Sequence, residues 1–415
     1  MNKILVTGGR PLQGRVRASG AKNASLAVLC AAMMASGEVT LENVPAINDI
    51  FVLADILRAL GAGVEWLERG VLRIKPPGRI DPKGATYPEV KKLRASSLLL
   101  GPLLARFGNA RVALPGGCNI GIRPMDLHFK GLVGLGGDLT LEHGCINASA
   151  TGLTGARIYL DFPSVGATEN IMMAACLAKG QTVIENVAKE PELVDLANFL
   201  NSMGARVRGA GTDVIKVEGT DGLSGGRYSI IPDRIEAGTF MVAAAATRGE
   251  VTVENVIPFH LQPVTAKLRE AGVLVEERED RITVRGGERC QSIDIKTMPY
   301  PGFPTDMQSP FMSFLCTVPG LSLVTENIFE NRFQVVNELK RMGASIKVEG
   351  RVAVIEGVPE IQGAQVRATD LRAGAALVIA GLTAKGETEI TGAELIYRGY
   401  EDVIDKFTGL GALIR

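Results

Sequence analysis

Several features are scarce in this 415-residue chain, and each shortage excludes a class of function. Net charge is absent: 45 Lys and Arg offset 45 Asp and Glu, so the polycationic surface of a nucleic-acid binder is not expected. No apolar run reaches the ~18 to 20 residues that span a bilayer, and the longest small-apolar stretch, Leu26 to Ala35, falls short, so no membrane partner is expected. Met1-Asn2-Lys3-Ile4-Leu5-Val6 runs straight into Thr7-Gly8-Gly9 without a long apolar region or a cleavage site, so no secretory signal is expected. Six cysteines lie scattered without a CxxC pair, which suits reduced thiols in a cytoplasm. Only His128, His143 and His260 are present, with no HExxH or Cys/His ligand spacing, so neither a metal nor a familiar nucleophile relay is called for. A GxxxxGK[ST] loop is missing, as is a GxGxxG between strand and helix, and no nucleotide cofactor is expected.

What is present is repetition. Leu60-Gly61-Ala62, Leu135-Gly136-Gly137, Met203-Gly204-Ala205, Ala271-Gly272-Val273, Met342-Gly343-Ala344 and Leu410-Gly411-Ala412 recur at roughly 70-residue intervals. Upstream of most of them stands a second marker. It reads Gly37-Glu38-Val39-Thr40-Leu41-Glu42-Asn43-Val44, with counterparts at Gly180 to Val187 and Gly249 to Val256 and weaker versions from Gly320 and Gly386. A glycine followed by alternating β-branched residues is a helix stop running into a strand.

Each of six units therefore reads helix, strand, helix, hairpin. In the first these are about Asn23 to Ala35, Val39 to Val44, Ile50 to Leu60, and Val64 to Leu67 with Val71 to Ile74. The second helix has one apolar stripe, Leu53, Ile56, Leu57 and Leu60, and one wet face. The first is apolar on every side, as are Ile171 to Ala178, Phe240 to Ala246 and Ala373 to Leu382, so these helices must be enclosed. Three units with such helices at the centre and sheets outside make an inverted α/β barrel, and six units make two. That agrees with a length beyond the roughly 250 to 300 residues at which a single core stops growing.

The sixth unit ends at Ala412-Leu413-Ile414-Arg415 and lacks the second strand of its hairpin, which Lys3 to Thr7 would supply. An unpaired buried edge is costly. The expected division is thus 22–231 as the first barrel, with 1–21 and 232–415 as the second; a sequential split with a free N-terminal arm is the alternative.

The second unit breaks its own pattern with Leu114-Pro115-Gly116-Gly117-Cys118-Asn119-Ile120-Gly121-Ile122-Arg123-Pro124-Met125-Asp126. Glycines around a cysteine, with Arg123 near, favour an accessible thiolate, so Cys118 is the candidate reactive thiol. Cys30, Cys176 and Cys316 lie in apolar segments and read as inert core residues. Ser19 to Asn23, Ser164 to Thr168 and Thr369 to Arg372 open buried helices, either as anion sites or as ordinary N-caps. Asp306, in Phe303-Pro304-Thr305-Asp306-Met307-Gln308, either caps a helix or acts as a base.

Taken in order, Ser19 to Asn23, Leu93 to Ser96, Pro115 to Cys118 with Gly121 to Pro124, Ser164 to Thr168, Phe303 to Met307, Glu330 to Phe333, Ala368 to Arg372 and Arg398 to Glu401 resemble the motifs of the UDP-N-acetylglucosamine 1-carboxyvinyltransferase family. The resemblance spans nearly the whole chain. It implies two inverted barrels with the active site in the cleft between them. It also implies enolpyruvyl transfer from phosphoenolpyruvate to the 3'-hydroxyl of UDP-N-acetylglucosamine, the first committed step of peptidoglycan synthesis.

Phosphoenolpyruvate carries a phosphate and a carboxylate, which calls for a cluster of cations. The resemblance assigns Lys22, Arg94, Arg123, Arg372 and Arg398 to it, with Arg332 nearby. Asp306 matches the residue that takes the hydroxyl proton, Cys118 the loop thiol of proton donation and product release, and Lys22 adds to proton traffic. A cysteine at this place implies alkylation by fosfomycin, and an aspartate implies resistance. For the nucleotide sugar, Arg123, Pro124, Met125, Asp126 and Leu127 fall to the uracil, and Ser164, Val165 and Gly166 to the diphosphate. Asn23, Asp306 and Ile328 fall to the acetamido sugar, with Arg94 also assigned to this substrate. Phe162, Asn48 and Met125 depart from residues found in some relatives. The alternatives are the sister reaction on shikimate 3-phosphate, or a non-catalytic nucleotide-sugar binder.

Overall fold

The helix Lys22–Ala32 buries every residue except Asn23, and Arg234–Ala246 and Leu371–Thr383 bury all but their end residues. Consecutive Ala, Leu, Val, Met and Cys leave no face for water, so the surrounding chain encloses them. The computed structural model describes residues 3–81, 93–114, 120, 125–287 and 289–415, which divide into two units with separate hydrophobic cores. One unit holds residues 3–19, Ile120 and 232–415; the other holds the described residues of 20–114 and 125–231.

Inner helices alternate with amphipathic outer ones. In residues 20–231 the inner helices are Lys22–Ala32, Leu100–Phe107 and Val165–Ala175. The outer ones are Asn48–Ala59, Asp126–Gly134 and Pro191–Ser202. In residues 232–415 the inner helices Arg234–Ala246, Gln308–Leu315 and Leu371–Thr383 touch one another, and Ser313 Oγ donates to Ala376 O at 2.7 Å between two of them.

Among the described residues the strands form six sheets, three per unit, and none closes on itself. The wall of each inverted barrel is therefore three separate sheets. Their strands alternate buried and wet residues, as in Val39–Glu42 and Gln181–Glu185.

The N-terminal strand Lys3–Thr7 lies between Glu387–Thr391 and Leu413–Ile414, with Val6 opposite both Thr388 and Ile414. It takes the place that a second hairpin strand holds in the sister sheets, and so completes the last unit.

One feature is absent from the helix, strand, helix, hairpin reading. Five sheets carry a short parallel edge strand against the strand that follows the inner helix: Gly226–Ser229 on Val39–Glu42, Arg157–Tyr159 on Gln181–Glu185, Gln13–Arg17 on Glu250–Glu254, Ile295–Lys296 on Leu321–Thr325, and Gln365–Arg367 on Glu387–Thr391. Pieces of two to five residues carry too little periodicity to read.

Candidate active site

In residues 232–415, Asp306 sits in the single 3-10 turn Thr305–Met307 ahead of the inner helix Gln308–Leu315. It does not cap that helix; guanidinium groups hold its carboxylate from both sides. Arg332 Nη2 donates to Oδ1 at 2.9 Å, and Arg372 Nε donates to Oδ2 at 3.1 Å, with Arg372 Nη2 3.0 Å from the same oxygen in the ion pair. The arginine side chains are 2% and 4% exposed, whereas Asp306 keeps 27%.

Arg372 follows Asp370, which caps the helix Leu371–Thr383 by accepting N–H bonds from Arg372 and Ala373. Its guanidinium lies 5.3 Å from the centre of the Tyr400 ring, and that of Arg332 lies 5.5 Å from the ring of Phe329. Burial opposes the charge on Arg372, but Tyr400, Asp306 and Asp233 more than offset it, so its pKa moves up.

Two full positive charges thus face one carboxylate. Arg332 Nε and Nη1 and Arg372 Nη1 are buried with no hydrogen-bond partner among the described residues. Buried guanidinium N–H groups without acceptors are costly, and planar donor forks suit a small anion with several oxygens.

Arg398 is half-buried in the turn after Ala393–Leu395. Tyr400, two residues on, is buried and shares a 2.9 Å hydrogen bond with Thr239 Oγ1 on the helix Arg234–Ala246. Ile328 is half-buried on the segment leading to Arg332.

In residues 20–231, Lys22 opens the first inner helix, and its Nζ lies 2.7 Å from Asp49 Oδ2. Asp49 comes from the first turn of the helix Asn48–Ala59, and both side chains are nearly closed to solvent. Asn23, beside Lys22, is exposed.

Arg94 starts the 3-10 helix Arg94–Leu99, half-buried, and its charge reaches His128. His128 is buried on Asp126–Gly134, the helix that Met125 precedes and that Asp126 and Leu127 open. Its Nδ1 lies 2.8 Å from Asn170 Nδ2. Asn170 Oδ1 accepts from Gly101 N and its Nδ2 donates to Ser97 O, so its amide also donates to the imidazole and the ring proton is assigned to Nε2. Burial first, and the Arg94 charge second, pull the imidazole pKa down to about 4. A Cβ on Gly166 would lie 3.4 Å from Nε2 and 3.2 Å from Cε1. The ring edge therefore abuts the N-terminus of Val165–Ala175, where Ser164 Oγ accepts the Ala167 N–H at 3.4 Å. The segments expected at uracil and diphosphate thus meet at this histidine.

Cys118, Arg123 and Pro124 lie outside the described residues. Phe162 is 52% exposed and Asn48 is exposed on the first turn of its helix.

Sequence reasoning missed His128 and Asp49. His128 directly follows the Met125-Asp126-Leu127 stretch, and extending that motif by one residue would have found it. Asp49 reads locally as an ordinary acidic residue in a first helical turn, and nothing near it in the chain points to Lys22.

The family model of EPSP synthase (3-phosphoshikimate 1-carboxyvinyltransferase) matches residues 6–407. UDP-N-acetylglucosamine 1-carboxyvinyltransferase 2 of Carboxydothermus hydrogenoformans is 57% identical over 100% of this chain and 99% of its own length. UDP-N-acetylglucosamine 1-carboxyvinyltransferase 1 of Caldanaerobacter subterraneus is 54% identical over 99% of both. Among solved structures, the enolpyruvyl transferase NikO from Streptomyces tendae superposes with a TM-score of 0.88 at 25% identity, covering 100% of this chain and 98% of its own. EPSP synthase from Acinetobacter baumannii, at 22% identity, a TM-score of 0.76 and 100% coverage of both chains, shares the fold. The chain belongs to the UDP-N-acetylglucosamine 1-carboxyvinyltransferase family, within the wider group that the EPSP synthase model describes.

Proposed function

We propose that the protein transfers the enolpyruvyl group of phosphoenolpyruvate to the 3'-hydroxyl of UDP-N-acetylglucosamine with release of phosphate, the first committed step of peptidoglycan synthesis. The observation that carries this reading is the Asp306 carboxylate held between Arg332 and Arg372, which keep unpartnered N–H groups for an anion. The names of relatives matched over 99% or more of this chain support the acceptor and the carboxyvinyl group transferred.

The hydroxyl oxygen adds to the central carbon of phosphoenolpyruvate while the methylene carbon gains a proton, giving a tetrahedral ketal. Phosphate then leaves, and loss of a methyl proton restores the double bond as an enol ether. We assign Asp306 to the hydroxyl proton, Cys118 to proton donation and product release, and Lys22 to anion binding and proton traffic. Lys22, Arg94, Arg123, Arg372 and Arg398 bind the phosphate and carboxylate. As those anions engage Arg332 and Arg372, the guanidinium hold on Asp306 relaxes and its lone pairs turn to the hydroxyl.

For the nucleotide sugar we assign Arg123, Pro124, Met125, Asp126 and Leu127 to the uracil and Ser164, Val165 and Gly166 to the diphosphate. Asn23, Arg94, Asp306 and Ile328 take the remaining contacts. His128 presents a neutral N–H donor between these groups. Free thiols at the five described cysteines support a reducing cytoplasm, and the cancelled net charge supports small-molecule substrates over nucleic acid.

Phosphate release from phosphoenolpyruvate with UDP-N-acetylglucosamine, and with shikimate 3-phosphate in parallel, tests the reading. Turnover with the nucleotide sugar is expected, and a response to shikimate 3-phosphate alone overturns the assignment. Asp306→Asn is expected to bind UDP-N-acetylglucosamine as the native protein does while losing most turnover.

A further inference from the structure

We infer that Glu326 is a positioning residue for the transfer, holding the Asp306 turn and the Ile328 loop in register; this rests on the roles assigned above to those two residues. The repeat supplies the standard from which Glu326 departs. In three units the strand after the inner helix is followed by an asparagine with a left-handed backbone: Asn43, Asn186 and Asn255, at φ 56°, 55° and 57°. Each donates its Nδ2 to the carbonyl just past the neighbouring parallel strand, at Ile230, Leu160 and Ala18 respectively. In the last unit Gly392, at φ 76°, fills the position.

The fifth unit departs from this rule. Its strand ends at Thr325, and the asparagine arrives one residue late. Asn327 Nδ2 donates to Thr297 O at 3.0 Å, the bond its sisters make, and Glu326 stands in the place that the sisters give to the asparagine. A charged residue at a strand end belongs in water, yet Glu326 is 1% exposed.

Four donors converge on it. Oε1 accepts from Thr297 Oγ1 at 2.9 Å, Ile328 N at 2.8 Å and Phe329 N at 3.1 Å, and Oε2 accepts from Thr305 Oγ1 at 2.9 Å. Thr305 begins the turn that carries Asp306. Phe329 supplies the ring beneath Arg332, whose Nη2 holds Asp306 Oδ1. One carboxylate therefore fixes the turn of the base, the sugar contact and the ring under the base's arginine. The four sister turns among the described residues, at Asn43, Asn186, Asn255 and Gly392, close without such a group, so chain closure does not account for it, and a buried polar residue that breaks a structural repeat points to the site it serves.

Thr305→Val cuts only the Oε2 link. It is expected to lower kcat about 10- to 100-fold, since small misplacements of a reacting group cost this much. The KM for UDP-N-acetylglucosamine should stay within about twofold, and Thr305→Ser should restore the rate. Glu326→Ala removes the acceptor of all four bonds and is expected to lower kcat and raise KM together. In an Asp306→Asn background, Thr305→Val should cost nothing further. Native kcat and KM in both folded variants, or an equal further loss in the Asp306→Asn background, would overturn the inference while leaving the functional assignment intact. A native rate in Asp306→Asn alone would instead remove the base role, and the inference with it.

Discussion

Tyr228 donates its phenolic proton to Asp195 Oδ1 at 2.6 Å, tying the parallel edge strand Gly226–Ser229 to the outer helix Pro191–Ser202. Asp195 also accepts the Ile231 N–H at 3.5 Å. Burial raises its pKa from 3.8 to about 6, the two hydrogen bonds only partly opposing the rise and Glu192 adding to it. A carboxyl raised on folding holds its proton more tightly in the native state. Its contribution to stability is therefore fully present below pH 3.8 and lost as pH rises through about 6. A rise of that size is equivalent to about 3 kcal/mol. Urea unfolding between pH 4 and 7 should show this slope in the native protein and a flatter one in Asp195→Asn; equal slopes would contradict it.

His128 should behave oppositely. Its pKa falls from 6.5 to about 4 on folding, so its stabilisation is complete above pH 6.5 and disappears as pH falls through about 4. Nitrogen NMR of the imidazole is expected to show the proton on Nε2 and no titration from pH 8 to 5. Protonation in that range would remove the neutral-donor role.

The pairing of Lys22 with Asp49 is too enclosed to behave as a surface ion pair. Asp49→Asn leaves a buried ammonium against a neutral amide, and an expected loss of about 3 to 5 kcal/mol follows. Replacing both residues, Lys22→Met with Asp49→Leu, should recover most of that stability but not turnover. A loss below about 1 kcal/mol in Asp49→Asn would show the pair to be dispensable.

Cys118 should be the thiol that fosfomycin alkylates. Burial pushes the thiols of Cys176 and Cys316 up to about 12, and that of Cys30 higher still, where thiolate is negligible at neutral pH. One adduct per chain, mapped to Cys118 by mass spectrometry and absent in Cys118→Asp, is the expected result. Adducts on the buried cysteines would contradict it.

The sequence by itself determined the six-fold repeat, the helices with no wet face, the orphan first strand and the order of the motifs. These are carried by local periodicity and by neighbours in the chain, which is where hydrophobic patterning acts. Tertiary structure decided what each functional side chain touches. Asp306 could be read as a cap or a base, and only its guanidinium partners Arg332 and Arg372 show that it does not cap. His128 stood in the sequence as one of three histidines without ligand spacing, and only Asn170 and Gly166, from other segments, define its tautomer and its neighbour. Glu326 looked like part of a weakened repeat marker until its four donors from three segments became visible. Hydrogen-bond partners and burial arise when distant segments meet, and no local pattern encodes which carboxylate will face which cation.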